Sequence, residues 1–503
     1  MNQSNAFSRI VAVALASVLN YTAIMAQDIS GGAGVLLASA EVEAKLGKGI
    51  FTPAQNRTHA ARPLEKKTVA RSSHPSRQTT AGNRTNNSGR SGNRNTNTGR
   101  TNQPTLDAED YNQKGDEYFD AGQYDKAAAS YEQALHLRAN YPEAQLNLGE
   151  TYFNLGRYEE ATAADQKAIA QKANWADAYR ALGTAYLKTN RSKDALEALK
   201  KARELNANDA ETRTALSIAY FDEGVAAYNS EQFAEAVNDY QQAINLNPNY
   251  ADAYDNLGDA YRRMNKLAEA AEAYKHAVAI NPNLLETYSN LSWTYDKLGQ
   301  YAEAAEAYKQ VIRLQPDDAE ANNNMGYALG KSKRWPEALS AFQRAIQLKS
   351  DYAEAYSNLG WAYNNLGNYA AAVEPLKRSI QLKPALPEGH FNLGISYFRL
   401  NKNNEALAEF QQTIQLKPDW PAAQNNLGVA YGTLGKWKEA TAAHKEAVRL
   451  NPNYGGAYYN LGVDYLKSGD KKSATEQYEK LRPINPNNAR ALYQLIYKKP
   501  PPN

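Results

Sequence analysis

From Ala108 onward, apolar positions recur with the spacing of helix faces rather than the strict alternation of strands, and the pattern returns every 34 residues. Within one period the frame reads Leu at position 7, Gly at 8, Tyr at 11, Ala at 20, an aromatic at 24, Ala at 27 and Pro at 32. One period spells it out as Leu257, Gly258, Tyr261, Ala270, Tyr274, Ala277 and Pro282, after Tyr254 at position 4. At about 100° per residue, positions 4, 7, 8 and 11 gather on one face of a first helix. Small residues at 8, 20 and 27 let a second helix lie close against it, and Pro at 32 stops that helix before the next period begins. Each period therefore predicts a pair of packed helices, A and B.

Eleven such periods begin at residues 108, 142, 176, 217, 251, 285, 319, 353, 387, 421 and 455 and run to 488. This frame resembles the tetratricopeptide repeat family. The resemblance implies an all-α fold, an α-solenoid of helix-turn-helix units stacked into a right-handed superhelix, and a binding role that names no particular partner. Residues 489–497 then read as a C-terminal capping helix and 498–503 as a tail. Seven extra residues, 210–216, stand between repeats 3 and 4, and seven residues preserve a helix face, so one extended helix is predicted from about Ala210 to Tyr228. Departures from the frame at Asp165, Ser292, Asn322, His390 and His444 predict looser local packing.

Ahead of the repeats the pattern changes. Arg9, the apolar run Ile10 to Leu19 and the small residues up to Ala26 read as a cleaved signal peptide over residues 1–26. An exported product, periplasmic or secreted, is the expectation, with an uncleaved N-terminal anchor as the only expected membrane link. Residues 27–106 read as a disordered basic linker, poor in apolar side chains after Phe51. Residues 1–106 hold 13 Lys+Arg against 4 Asp+Glu, whereas the remainder carries 44 against 50, so a basic arm precedes a mildly acidic body. Between Arg57 and Arg100 lie ten basic residues, one acid and no aromatic. Without stacking platforms the arm is not a nucleic-acid binder by pattern.

The candidate binding residues sit on helix A. On its wheel, positions 2, 6, 9 and 13 lie nearly opposite the stripe of 4, 7, 8 and 11, on the side that faces the concave groove in this family. Position 6 is Asn147 in repeat 2 and then, without a break, Asn256, Asn290, Asn324, Asn358, Asn392, Asn426 and Asn460. Helix propensity does not ask for Asn there, and its amide matches the backbone of an extended peptide of any sequence. The alternative is that these amides bridge adjacent helices. The run is similar to the asparagine ladder in the repeat domain of O-linked N-acetylglucosamine transferases, a likeness that covers the Asn-Leu-Gly triplets and no catalytic part. Position 9 adds Trp293, Tyr327 and Trp361 in three successive repeats, as anchors for a partner or as partial core. Position 13 adds Lys297 and Lys331, which suit acidic side chains or a C-terminal carboxylate but also the dipole at a helix C-terminus.

Catalytic chemistry finds no foothold in the pattern. The absence of Cys removes disulfides, thiolate ligands and Cys nucleophiles, and the six His residues are scattered without ligand spacing. The run Gly326 to Ser332 imitates a phosphate loop, yet it is one residue short and ends a helix instead of following a strand. The sequence thus predicts a non-enzymatic scaffold with no cofactor and no metal, whose partner is a protein or extended peptide. The alternatives are an envelope-assembly protein whose arm grips an anionic polymer and, more remotely, a substrate adaptor for a separate glycosyltransferase.

Overall fold

The computed structural model describes residues 106–498, which form 23 helices and no strand. They fall into two compact units, 106–282 with repeats 1 to 5 and 283–498 with repeats 6 to 11 and the final helix. The signal peptide, nearly all of the basic linker and the end of the tail lie outside the described residues. No helix among those described is long and apolar enough to cross a membrane.

Each repeat is the predicted helix pair. Repeat 5 has helix A at Ala251–Arg263 and helix B at Leu267–Ile280, and repeat 6 has them at Leu285–Lys297 and Tyr301–Leu314. The turn between A and B places position 15 in the left-handed region in every repeat, with φ near +70° at glycines such as Gly122 and Gly299. That geometry folds the amide of the following residue back onto helix A, as in the 2.8 Å bond from Gln123 N to the Tyr118 carbonyl, and so satisfies carbonyls the helix would leave open. After helix B, Asn side chains close tight turns before the next repeat: Asn247 accepts from the amide of Asn249 at 3.2 Å and Asn451 from that of Asn453 at 3.0 Å.

The core lies between helices as the small positions require. Ala at position 20 is fully buried from Ala127 through Ala474, and the aromatic rings at position 24 press on the glycines at position 8. A methyl group added at Gly258 would lie 2.5 Å from the Tyr274 ring. The structure adds two positions the frame did not contain. Positions 3 and 10 of helix A are also small and buried, as Ala253, Ala260, Ala321, Ala328, Ala355 and Ala362 show. Helix A is thus enclosed on two sides, by helix B of its own repeat and by its neighbours in the stack. The seven extra residues extend helix A of repeat 4 to Ala210–Asn229, with Leu216 buried and Asp209 capping the amides of Glu211 and Thr212. That extended helix agrees with the prediction.

The departures from the frame are wired rather than loose in four of five cases. His444, fully buried at position 24, pairs through Nδ1 with Asp464 at 2.6 Å, and His390 pairs with Glu409 at 2.6 Å. Asn322 donates to the Asp318 carbonyl and Ser292 to that of Ser289. A polar side chain in the core finds a polar partner instead of leaving a gap. Asp165 makes no such pair and keeps a buried, unpartnered Oδ1, and the His444–Asp464 pair likewise leaves His444 Nε2 and Asp464 Oδ1 buried without partners.

Candidate functional site

The candidate residues of unit 283–498 stand on consecutive A helices, Leu285–Lys297, Ala319–Lys331 and Ala353–Asn365 among them, because equal repeats put equal positions in columns. The column of asparagines is largely inside. Asn358, Asn392, Asn426 and Asn460 are buried, as is Asn256 in the other unit, while Asn290 and Asn324 are partly exposed. The burial has a specific use. Asn358 donates to Asn323 Oδ1 and Asn460 to Asn425 Oδ1, each at 2.9 Å and each across one repeat, from position 6 to position 5 of the preceding A helix. In repeat 2, Asn147 reaches back in the same way to Asn112 and Asp116. Asn324 Oδ1 accepts from the side-chain amide of Asn323 at 3.3 Å. The bridging alternative of the sequence is therefore realised at these amides. Their second groups remain, since Oδ1 of Asn358 and of Asn460 is buried without a hydrogen-bond partner.

The aromatic column divides. Tyr327 and Trp361 are buried and pack against one another with their rings tilted by 31° and centroids 5.9 Å apart, and Trp335 meets Trp361 edge-on at 4.9 Å. Gly330 makes room for that packing, because a Cβ there would lie 2.7 Å from Trp361. These two rings take the core alternative. Trp293 differs, being partly exposed, with the Lys297 ammonium 5.5 Å from its ring centre. Lys331 lies over the Tyr301 ring at 4.9 Å. Lys297 also reaches Asp296 at 3.7 Å. Burial raises the Asp296 carboxyl above its ordinary pKa, and the opposing charges of Lys297 and Lys331 hold that rise back. Lys297 thus lies between the Trp293 ring and Asp296, on which the charge of Lys331 from the next repeat also acts, while Asn290 and Asn324 stand partly exposed at position 6 of the same two A helices. The sequence did not single out Asp296, a position-12 carboxylate that no column marks. No group of three or more His, Asp or Glu that could hold a metal exists among the described residues.

Comparison with known proteins gives the following. Family models described as TPR repeat or tetratricopeptide repeat match in succession, at residues 115–156, 225–265 and 396–435, at 140–208, at 251–284, at 273–306, at 290–352 and 323–387, and at 422–451. Among curated proteins, none matches. Among solved structures, the APC/C hetero-tetramer Cut9-Hcn1 is 17% identical with a TM-score of 0.42, covering 78% of this chain and 97% of that one. Yeast Tom70 is 15% identical with a TM-score of 0.38, covering 78% and 95%. YrrB, described as a TPR protein with an unusual peptide-binding site, is 24% identical with a TM-score of 0.34, covering 39% and 100%.

Proposed function

Given that the chain belongs to the tetratricopeptide repeat family, we propose that it is a non-enzymatic scaffold that holds an extended segment of a partner protein on repeats 6 and 7. The observation that carries this reading is the patch around Trp293. A large ring left partly exposed beside the Lys297 ammonium is what an interface anchor looks like, and solenoid stability alone does not ask for it. Asn290 and Asn324 border the patch with amide groups that match a peptide backbone, and Lys297 and Lys331 suit an acidic side chain or a C-terminal carboxylate. The scaffold acts outside the cytoplasm on this reading, which rests on the signal-peptide pattern of residues 1–26.

The experiment is a peptide-array screen with the full chain, repeated with Trp293→Ala and with Lys297→Glu plus Lys331→Glu. The expected hits are extended peptides with an acidic residue or free carboxylate, and each variant should weaken them by about tenfold or more, the size of a lost interface anchor. Hits that bind both variants as tightly as the original chain would overturn the placement on repeats 6 and 7.

A further inference from the structure

Repeat 2 breaks the packing rule of the array. In repeats 1 and 5 the phenol at position 24 fills the space over the position-8 glycine and donates to the position-9 carboxylate: Tyr131 to Asp116 at 2.7 Å and Tyr274 to Asp259 at 2.6 Å. Repeat 2 keeps Gly149 and the position-9 acid, Glu150, but carries Asp165 in place of the ring. A recess opens there, lined by Phe119, Gly149, Glu150, Phe153, Asp165 and Arg180 among others. The helices around it are Ala108–Asp120, Pro142–Asn154, Tyr158–Gln171 and Ala176–Lys188.

Asp165 is 1% exposed, and its Oδ1, without a hydrogen-bond partner, lies over Gly149 in the wall of this space. Burial first, and then the neighbouring charge of Glu150, push its carboxyl well above the ordinary range. Arg180 does not relieve it. That guanidinium is engaged elsewhere, with Glu211 at 2.5 Å, Asp209 at 3.4 Å and Asp177 at 3.5 Å. The recess therefore sets the Asp165 carboxyl, Glu150 and two phenylalanine rings where other repeats hold an aromatic plate, while the cation at its wall is already ion-paired.

We propose that this recess is a binding slot for a guanidinium side chain. A planar guanidinium has the thickness of the absent ring, stacks on aromatic faces and donates in a fork to carboxylates, so one group meets the shape and the charge together. Burial favours the neutral form of Asp165, and an entering cation draws it toward the ionised form, with the proton passing to solvent. Among the described residues, Glu150 on the first helix of repeat 2 and Arg180 on that of repeat 3 are the charged groups lining it, with Asn154 and Thr184 as neutral polar ones. Affinity consequently rises with pH, by up to about tenfold per unit below the raised pKa of Asp165, and levels off above it. An arginine can come from residues 57–100 of the same chain, which hold eight of them, or from another protein. The slot lies on repeats 1 to 3 and does not depend on the peptide reading of repeats 6 and 7.

The test titrates agmatine, a guanidinium on a short aliphatic stem, into the full chain at pH 5 and pH 8, by calorimetry and by melting temperature. Binding should be tighter at pH 8, weakened by about tenfold or more in Asp165→Asn, and abolished in Asp165→Tyr, which restores the ring of the other repeats. Asp165→Tyr should also melt higher, which separates lost binding from lost folding. Replacing the eight arginines of 57–100 with Gln identifies the source: tighter agmatine binding shows that the arm competes for the slot, and unchanged binding assigns the slot to another chain. Agmatine that fails to bind both the original chain and this variant, or that binds Asp165→Tyr equally well, overturns the proposal.

Discussion

Asn358 shows how one side chain serves two demands. Its amide nitrogen bridges to Asn323 while its Oδ1 stays buried and unpartnered, so removing it takes away a bond the neighbouring repeat relies on. Asn358→Ala leaves Asn323 Oδ1 without that donor, at a cost of about 1–3 kcal/mol, against a helix-propensity gain of about 0.7 kcal/mol. A net loss of about 1 kcal/mol is expected in urea unfolding, where propensity alone predicts a gain. The chain offers a converse case at Asp222, which holds position 6 in repeat 4. Burial, and secondarily the charge of Glu223, raise its carboxyl from 3.8 to about 6. A carboxyl whose pKa is raised on folding stabilises the fold below the unfolded value and loses that contribution as pH climbs through about 6. Asp222→Asn should therefore change little at pH 4 and stabilise by about 1–2 kcal/mol above pH 7, after discount for its partial exposure. Melting curves across that range check it, and a constant difference at all pH values would remove the titration as its cause. The column of asparagines was legible in the sequence as a column. Its use as a bridge was not, because Asn358 and Asn323 are 35 residues apart and their meeting depends on how one A helix leans on the last. Trp361 and Tyr327 were ambiguous for the same reason, since period alone does not tell a groove ring from one covered by a neighbouring helix.

The helix pair itself was legible because Gly, Ala and Pro stand where close approach and termination require them. The extended helix over 210–229 followed from a seven-residue insertion that preserves the buried face. Positions 3 and 10 escaped the frame since Ala is common at so many helix positions that its burial leaves no periodic contrast. The A-to-B turn was not read at all, for position 15 is Gly in six repeats and Asn190, Glu231, Asn265, Lys333 or Asn401 in the others, all with φ of 57° to 62°. Glycine reaches that region freely, Asn tolerates it, and Glu or Lys is held there by the rest of the turn. Glu231→Gly and Lys333→Gly are each expected to stabilise by about 1 kcal/mol, and Gly299→Ala to destabilise by a similar amount. Asn265→Gly should give less. Denaturant midpoints rank the series, and an equal response at Asn265 and Lys333 would argue that the turn carries no such strain.

On the scale of the whole molecule, helices within each of the two units touch mainly their immediate neighbours and the next A helix along the chain, so the stability of each is close to a sum over repeats and the interfaces between them. A loss at one place should stay near it. Leu492 on the last helix, Pro486–Tyr497, is fully buried and packs on Gly462 of repeat 11, where a Cβ would lie 2.5 Å from it. Truncating such a leucine leaves a cavity and costs about 2–5 kcal/mol. In a globular domain that cost would lower protection everywhere. Here, Leu492→Ala should speed hydrogen exchange in helices Gly455–Lys467 and Lys471–Leu481, which lose their cover, and leave Tyr124–Leu137 and Tyr158–Gln171 in the other unit unchanged. The gradient follows from the stacking, since a helix pair too small to fold alone depends on the interface its neighbour supplies. Exchange that accelerates equally in repeats 1 and 11 would mean that the array unfolds as one cooperative body, and the additive account of its stability would fail.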